Sequence, residues 1–206
     1  MTDAAPFALF TTPIGECALA WSDAGLAGVW LPESQPGGLQ RKLGRRLPTL
    51  TESVPTEEIA HVIAAIQRLL EGVPVDLRAV RLDWSEVPDF ARRVYAVARG
   101  VAPGRVVTYG WVARELGSDA DARSVGQALG ANPFPIVVPC HRVIAADGRL
   151  GGFSAPGGTA TKQRILAIEK ARPDGPPGLF DDLDSTSISP PAAAPASALP
   201  HSTTAR

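Results

Sequence analysis

The sequence predicts an α+β fold, with a small front unit of strands and one helix followed by a mainly helical back unit. Apolar residues alternate or cluster in short runs from Phe7 to Leu31, as strands require. They change to i, i+3, i+4 spacing at Ile59, Val62, Ile63, Ile66, Leu69 and Leu70, and helical spacing returns in short stretches after Pro88. A break near Trp84 separates an α+β unit at 1–83 from a helical unit at 84–171, and a Pro/Ala/Ser-rich tail occupies 172–206.

Breaks at Thr12-Pro13-Ile14-Gly15 and Ser22-Asp23-Ala24-Gly25 make the front stretch a hairpin or meander. Cys17 lies in its alternation and reads as a buried strand thiol packed as a small hydrophobe. Residues 33–55 are rich in Pro, Gly, Arg and Thr and read as a loop with one short helical turn. Thr56-Glu57-Glu58 caps the helix that Gly72 stops, and Val75 to Leu82 is extended.

Pro88-Asp89-Phe90 opens the back unit, where Phe90, Val94, Tyr95, Val97 and Ala98 form a helical stripe ending at Gly100. Pro103-Gly104 is a turn, Val106-Val107-Thr108 is briefly extended, and Tyr109 to Leu116 is helical through Val112, Ala113 and Leu116. Gly117-Ser118-Asp119 stops that helix, and Asp119 or Asp121 caps a second one running to about Gly130. Two short helices joined by a tight Gly-containing turn make a helix-turn-helix. Ile165 to Ala171 is a last short helix. Past Arg172 few large apolar groups remain to offset chain entropy, so the tail is expected to be disordered.

The chain has 206 residues, 45% apolar and 20% charged, enough for one domain or two small ones sharing an interface. No apolar run approaches the ~18 residues of a membrane span. Met1-Thr-Asp-Ala-Ala-Pro6 lacks the pattern of a signal peptide, so a cytoplasmic or nucleoid location is expected. Residues 1–91 carry 7 basic and 12 acidic side chains, whereas residues 92–171 carry 11 and 5. A polyanion would therefore meet the chain through its second half. No P-loop or dinucleotide glycine pattern supports ATP or NAD chemistry. With Cys17 and Cys140 as the only cysteines, a four-cysteine metal site is impossible and a disulfide framework is not expected.

The chemistry concentrates at Asn132-Pro-Phe-Pro-Ile-Val-Val-Pro139-Cys140-His141-Arg142-Val143, an apolar strand running into a polar break. A thiol must lose its proton to act as a nucleophile, and an imidazole can take that proton directly or through water. Adjacent residues usually point apart, which argues against a direct Cys140–His141 ion pair. His61, in an apolar helical stripe, reads as structural, and His201 lies in the tail.

These residues resemble the O6-alkylguanine-DNA alkyltransferase family, also called methylated-DNA–protein-cysteine methyltransferases. The resemblance rests on Pro139-Cys140-His141-Arg142-Val143, Asn132-Pro133, Arg123-Ser-Val125-Gly126, Val107-Thr108-Tyr109-Gly110 and Glu169. It spans roughly Phe90 to Ala171, and the front fits more loosely through Thr12-Pro13-Ile14-Gly15 and Gly25-Leu26. It implies an RNase H-like front domain and single-use transfer of an alkyl group from O6-methylguanine in duplex DNA to Cys140, with O4-methylthymine a second candidate substrate. In that reading His141 is the base through a bound water, Glu169 orients the imidazole, Tyr109 assists the leaving guanine oxygen, and Asn132 ties the recognition helix to the active-site turn. Arg123 fills the gap left by the flipped nucleotide, while Ser124, Ala128, Gly130 and Tyr109 approach the DNA in its minor groove. Val143, Phe153 and Ser154 line the guanine pocket, although the family often has Tyr where Phe153 stands. No cofactor or metal is implied, and a monomer in solution is expected.

Three other functions use the same features. A lesion sensor would flip the base without transfer, a regulator would use the helix-turn-helix alone, and a thiol hydrolase would turn over at Cys140. The family's lesion-binding members carry Trp at the cysteine position, so Cys140 favours transfer.

Overall fold

The alternating front stretch folds into an antiparallel meander of β1 (Ala5–Thr12), β2 (Gly15–Ser22) and β3 (Gly25–Trp30). These coordinates are a computed structural model and describe residues 5–35, 37–46, 50–117 and 120–171. The expectation for the tail and the alternative cap Asp119 lie outside the described residues.

The loop expected at 33–55 instead contains helix α1 (Gly38–Arg46) and strand β4 (Leu50–Glu52). β4 joins β1 in parallel, giving the sheet order β3-β2-β1-β4. Sparse apolar residues hid α1, because only Leu39 and Leu43 face inward, where they pack with Ala18 and Trp30 on one face of the sheet. Helix α2 (Glu57–Leu70) packs on the other face, where Ala8, Phe10, Cys17 and Leu19 are buried. Its Thr56 cap is as expected, and Cys17 is fully buried. His61 is exposed. It therefore falls outside the apolar stripe in which the sequence reading placed it, because Ile59, Val62, Ile66 and Leu69 define the buried face.

The expected extended stretch Val75 to Leu82 contains a turn at Arg78-Ala79. Arg99 pins it by donating from Nη2 to the carbonyls of Leu77, Arg78 and Val80 at 3.0, 2.7 and 2.8 Å. The chain then runs along the free edge of β3, with Leu26 N–H donating to Arg81 O and Asp83 N–H to Leu26 O, both at 2.8 Å.

Helices α3 (Asp89–Arg99), α4 (Tyr109–Leu116) and α5 (Ala122–Gly130) pack mutually. Thr108 caps α4, and Asp121 forms a capping box with Ser124 at the start of α5. Short parallel strands β5 (Val107–Thr108) and β6 (Val143–Ile144) pair beside them. The last helix, α6, is Gly158–Ile168, beginning earlier and ending sooner than the expected Ile165 to Ala171. It stops in a Schellman arrangement, with Lys170 N–H bonded to Ala167 O, Ala171 N–H to Leu166 O and Lys170 at φ 58°. No glycine marks this end. One hydrophobic cluster runs from the sheet through α2, α3, α4 and α5 to Ile165 of α6.

Gly25 has φ 132°, and a Cβ there would stand 2.5 Å from Arg81 O. Gly25→Ala is thus expected to lower stability by about 2 kcal/mol or more, from backbone strain and a displaced edge segment. Urea unfolding of the two proteins checks this, and an unchanged midpoint would contradict it.

Candidate active site

The loop after α5 folds back on itself and brings Cys140 beside Asn132. Asn132 Oδ1 accepts from Phe134 N–H at 2.9 Å, the Asx turn that an Asn-Pro sequence allows. Its Nδ2 donates to Val138 O at 3.0 Å and to Cys140 Sγ at 3.4 Å. Ile136 is buried at φ 75°, a strained conformation for a β-branched residue, stabilised by the bond from Val138 N–H to Phe134 O. Cys140 begins a short 3-10 turn that continues through Arg142.

That turn delivers two side chains to one carboxylate. Glu169, the C-cap residue of α6, has its side chain 1% exposed. His141 Nε2 lies 3.1 Å from Glu169 Oε1. Arg142 grips both oxygens, Nη2 to Oε1 at 2.7 Å and Nε to Oε2 at 2.9 Å, while its Nη1 donates to Val101 O at 2.6 Å. A carboxylate at a helix C-terminus opposes the macrodipole, so these charge-assisted bonds are needed to keep it there. Burial alone would raise the Glu169 pKa, but the bonds from His141 and Arg142 outweigh it and bring the group down to about 2. An ionised carboxylate only accepts, so His141 Nε2 carries the proton that it donates. Burial also lowers the His141 pKa despite Glu169, leaving a neutral ring whose buried Nδ1 has no partner among the described residues.

Two charged groups in this assembly escaped the sequence reading. One is Arg142, read only as part of a motif. The other is Lys162, which is fully buried; its Nζ donates to Val143 O at 2.6 Å and lies 5.8 Å from the centroid of the Tyr109 ring. Burial lowers its pKa to about 8, and Cys140 opposes that shift. The Cys140 thiol is pushed up by burial, against the Asn132 hydrogen bond and the Lys162 charge. A signal existed, because Lys162, Ile165, Leu166 and Glu169 share the i, i+3, i+4, i+7 spacing of one helical face. A helix beginning at Ile165, as the sequence suggests, leaves Lys162 outside it, whereas α6 begins at Gly158. Tyr109 opens α4 and stands close against Gly151, where a Cβ would meet its hydroxyl at 2.8 Å. Burial raises the Tyr109 pKa, with a smaller contribution from Cys140.

Cys140 lines a cavity of about 190 Å³ together with Asn132, Phe153 and Ser154. Val143, also expected in the guanine pocket, is not among the residues that line this cavity, and its side chain is fully buried where β6 pairs with β5. Trp30 and Lys42, from β3 and α1, do line it. Nothing local in the sequence marks them. On α5, Arg123 is exposed and Ser124 is occupied by the capping box. Ala128 is buried and its carbonyl accepts the Tyr95 hydroxyl at 2.8 Å, so the small face expected to meet DNA is partly core. The outward face is Arg123, Gly126, Gln127 and Gly130.

A family model for the 6-O-methylguanine DNA methyltransferase DNA-binding domain matches residues 89–171. A methylated-DNA–protein-cysteine methyltransferase of Methanothermobacter thermautotrophicus is 32% identical over 163 residues, 79% of this chain and 84% of that protein. The chain belongs to this family. One of the methylated-DNA–protein-cysteine methyltransferases, from Mycolicibacterium paratuberculosis, is 43% identical over 93 residues, 45% of this chain and 55% of that protein. A DNA base-flipping protein of Thermus thermophilus is 40% identical over 154 residues, 73% of this chain and 99% of that one. The mixed sheet-and-helix fold is similar to that of Mycobacterium tuberculosis OGT in complex with DNA. The TM-score is 0.64 at 28% identity, covering 80% of this chain and 92% of that one.

In this methyltransferase-family chain, Glu169 sits well below its ordinary 4.5 in the folded state, at about 2. Its contribution is fully present above pH 4.5 and is lost as pH falls through about 2. Glu169→Gln is expected to destabilise by about 3–5 kcal/mol at pH 6, because Arg142 loses its buried counter-charge. The gap from the unsubstituted protein should narrow as denaturant titrations move from pH 5 towards pH 2. A constant gap would show that ionisation of Glu169 is not what stabilises the turn.

Proposed function

We propose that the protein repairs DNA by direct reversal, moving the alkyl group of O6-methylguanine irreversibly onto Cys140. The observation that carries this reading is the Cys140 thiol in a small cavity, 3.4 Å from Asn132 Nδ2, next in sequence to a buried neutral histidine held by Glu169. The Cys140 proton passes to His141 Nδ1 through a water. The sulfur–carbon bond forms as the carbon–O6 bond breaks, and the electron pair leaves with guanine. Tyr109 donates a proton to the departing base and recovers one from the His141 side, so the net transfer is one proton from cysteine to guanine. Lys162 and Asn132 stabilise the thiolate as it forms, in a site where burial strengthens each electrostatic interaction. A thioether is not hydrolysed, and each molecule acts once. O4-methylthymine is a second candidate substrate.

Guanine O6 lies inside the stack, so the nucleotide must be extruded before transfer. Helices α4 and α5 act as the helix-turn-helix, with Arg123, Gly126, Gln127 and Gly130 towards the minor groove. Two glycines on this face permit close backbone approach, and Arg123 fills the vacated space. The protein works as a monomer, and the front unit takes the RNase H-like form. Lesion binding without transfer is the second reading, favoured by the likeness to a base-flipping protein. The thiol at position 140 favours transfer.

Intact mass after equimolar mixing with a duplex carrying one O6-methylguanine separates the two. A gain of one methyl group, absent in Cys140→Ala, is the expected result; tight binding with no gain would leave the sensor reading. Arg123→Ala should slow transfer from duplex by about 10- to 100-fold, since unstacking costs a few kcal/mol. Quenched-flow measurement of transfer checks it, and an unaltered rate would remove Arg123 from the flipping step.

A further inference from the structure

Part of the Cys140 cavity is built by the front half of the chain. β3 is an edge strand, and its Val29 N–H donates to Pro133 O at 2.8 Å, one residue from the asparagine that touches the thiol. This bond fixes the edge of the sheet against the active-site turn. Trp30 then folds over Gly28, where an added Cβ would stand 2.8 Å from Trp30 Cη2, and it packs with Leu39 and Leu43 of α1. Lys42, next to Leu43 on that helix, is held by Glu33 at 2.5 Å with its side chain 30% exposed. Both line the cavity, with Phe153 and Ser154 contributed by the loop before α6.

Resting on the transfer reading above, we infer that Trp30 and Lys42 form an outer wall of the chamber that takes the alkyl group and restrict the protein to small O6-alkyl substituents. The cavity, about 190 Å³ and open on one side, is smaller than the ~300–1,000 Å³ of sites for drug-sized ligands. One or two carbons on O6 need little room beside the thiol, whereas a benzyl ring there must reach outward against Trp30 and Lys42, which line the same cavity. The wall resists yielding. Trp30 is fixed by Gly28 and α1, Lys42 by its ion pair, and the chain around the thiol contains Pro133 and Pro135, whose rings restrict the backbone.

The test measures single-turnover transfer from duplexes carrying O6-methylguanine or O6-benzylguanine, using the full chain, Trp30→Ala and Lys42→Ala. Each molecule reacts once, so the benzyl-to-methyl rate ratio is independent of any inactive fraction. The unsubstituted protein should strongly prefer methyl. Trp30→Ala should raise the benzyl-to-methyl ratio by at least about tenfold, the scale on which steric limits in apolar pockets discriminate. Lys42→Ala should raise it several-fold, and that partly exposed position decides the matter if Trp30→Ala transfers nothing. Equal benzyl and methyl rates in the unsubstituted protein, or a ratio unmoved in Lys42→Ala and in any active Trp30→Ala, would overturn this inference while leaving alkyl transfer intact. Transfer of neither group by the unsubstituted protein would overturn the transfer reading and this one with it.

Discussion

Glu169 is a carboxylate almost wholly removed from water, placed at the end of a helix whose dipole disfavours it. Desolvation costs several kcal/mol for such an ion, and only well-aligned partners offset it. Arg142 supplies two hydrogen bonds and a charge, and His141 supplies a third bond. Because His141 and Arg142 follow Cys140 directly, the same interaction fixes the turn that carries the thiol. It also fixes which imidazole nitrogen is protonated, leaving Nδ1 as the basic one. Loss of this cluster would disorganise the fold and the chemistry together.

A second constraint comes from the other side. The strain at Ile136 and the Asn132 hydrogen bonds bend the chain so that the thiol returns to the end of α5. The bend presents the Pro133 carbonyl to the edge of the front sheet, where Val29 takes it. An edge strand with open hydrogen-bonding groups invites pairing with another chain. Here the edge is occupied by Pro133 and by the segment at Arg81–Asp83. The front sheet therefore forms part of the wall of the Cys140 cavity.

Much was legible wherever local chemistry decides the outcome. Turn glycines at 15 and 25 have the positive φ their places required, and the Thr56 and Asp121 caps begin the expected helices. Legibility failed where packing overrode local preference. Helix α1 buries only Leu39 and Leu43 among the residues whose surroundings are described, so its periodicity is faint. Helix α6 contains a buried lysine and ends on Lys170 in a conformation that usually signals glycine, so both of its boundaries were misplaced.

By itself the sequence determined the meander, the order of the back helices, the reactive segment around Cys140 and the family to which it points, because each depends on spacing within a few residues. The tertiary structure decided which side chains share that site. It brought Arg142 to Glu169 and Lys162 to Tyr109, placed Trp30 and Lys42 around the thiol's cavity, and sent Ala128 and Val143 into the core. Such juxtapositions depend on how the whole chain excludes water and pairs its buried charges, which no local spacing records.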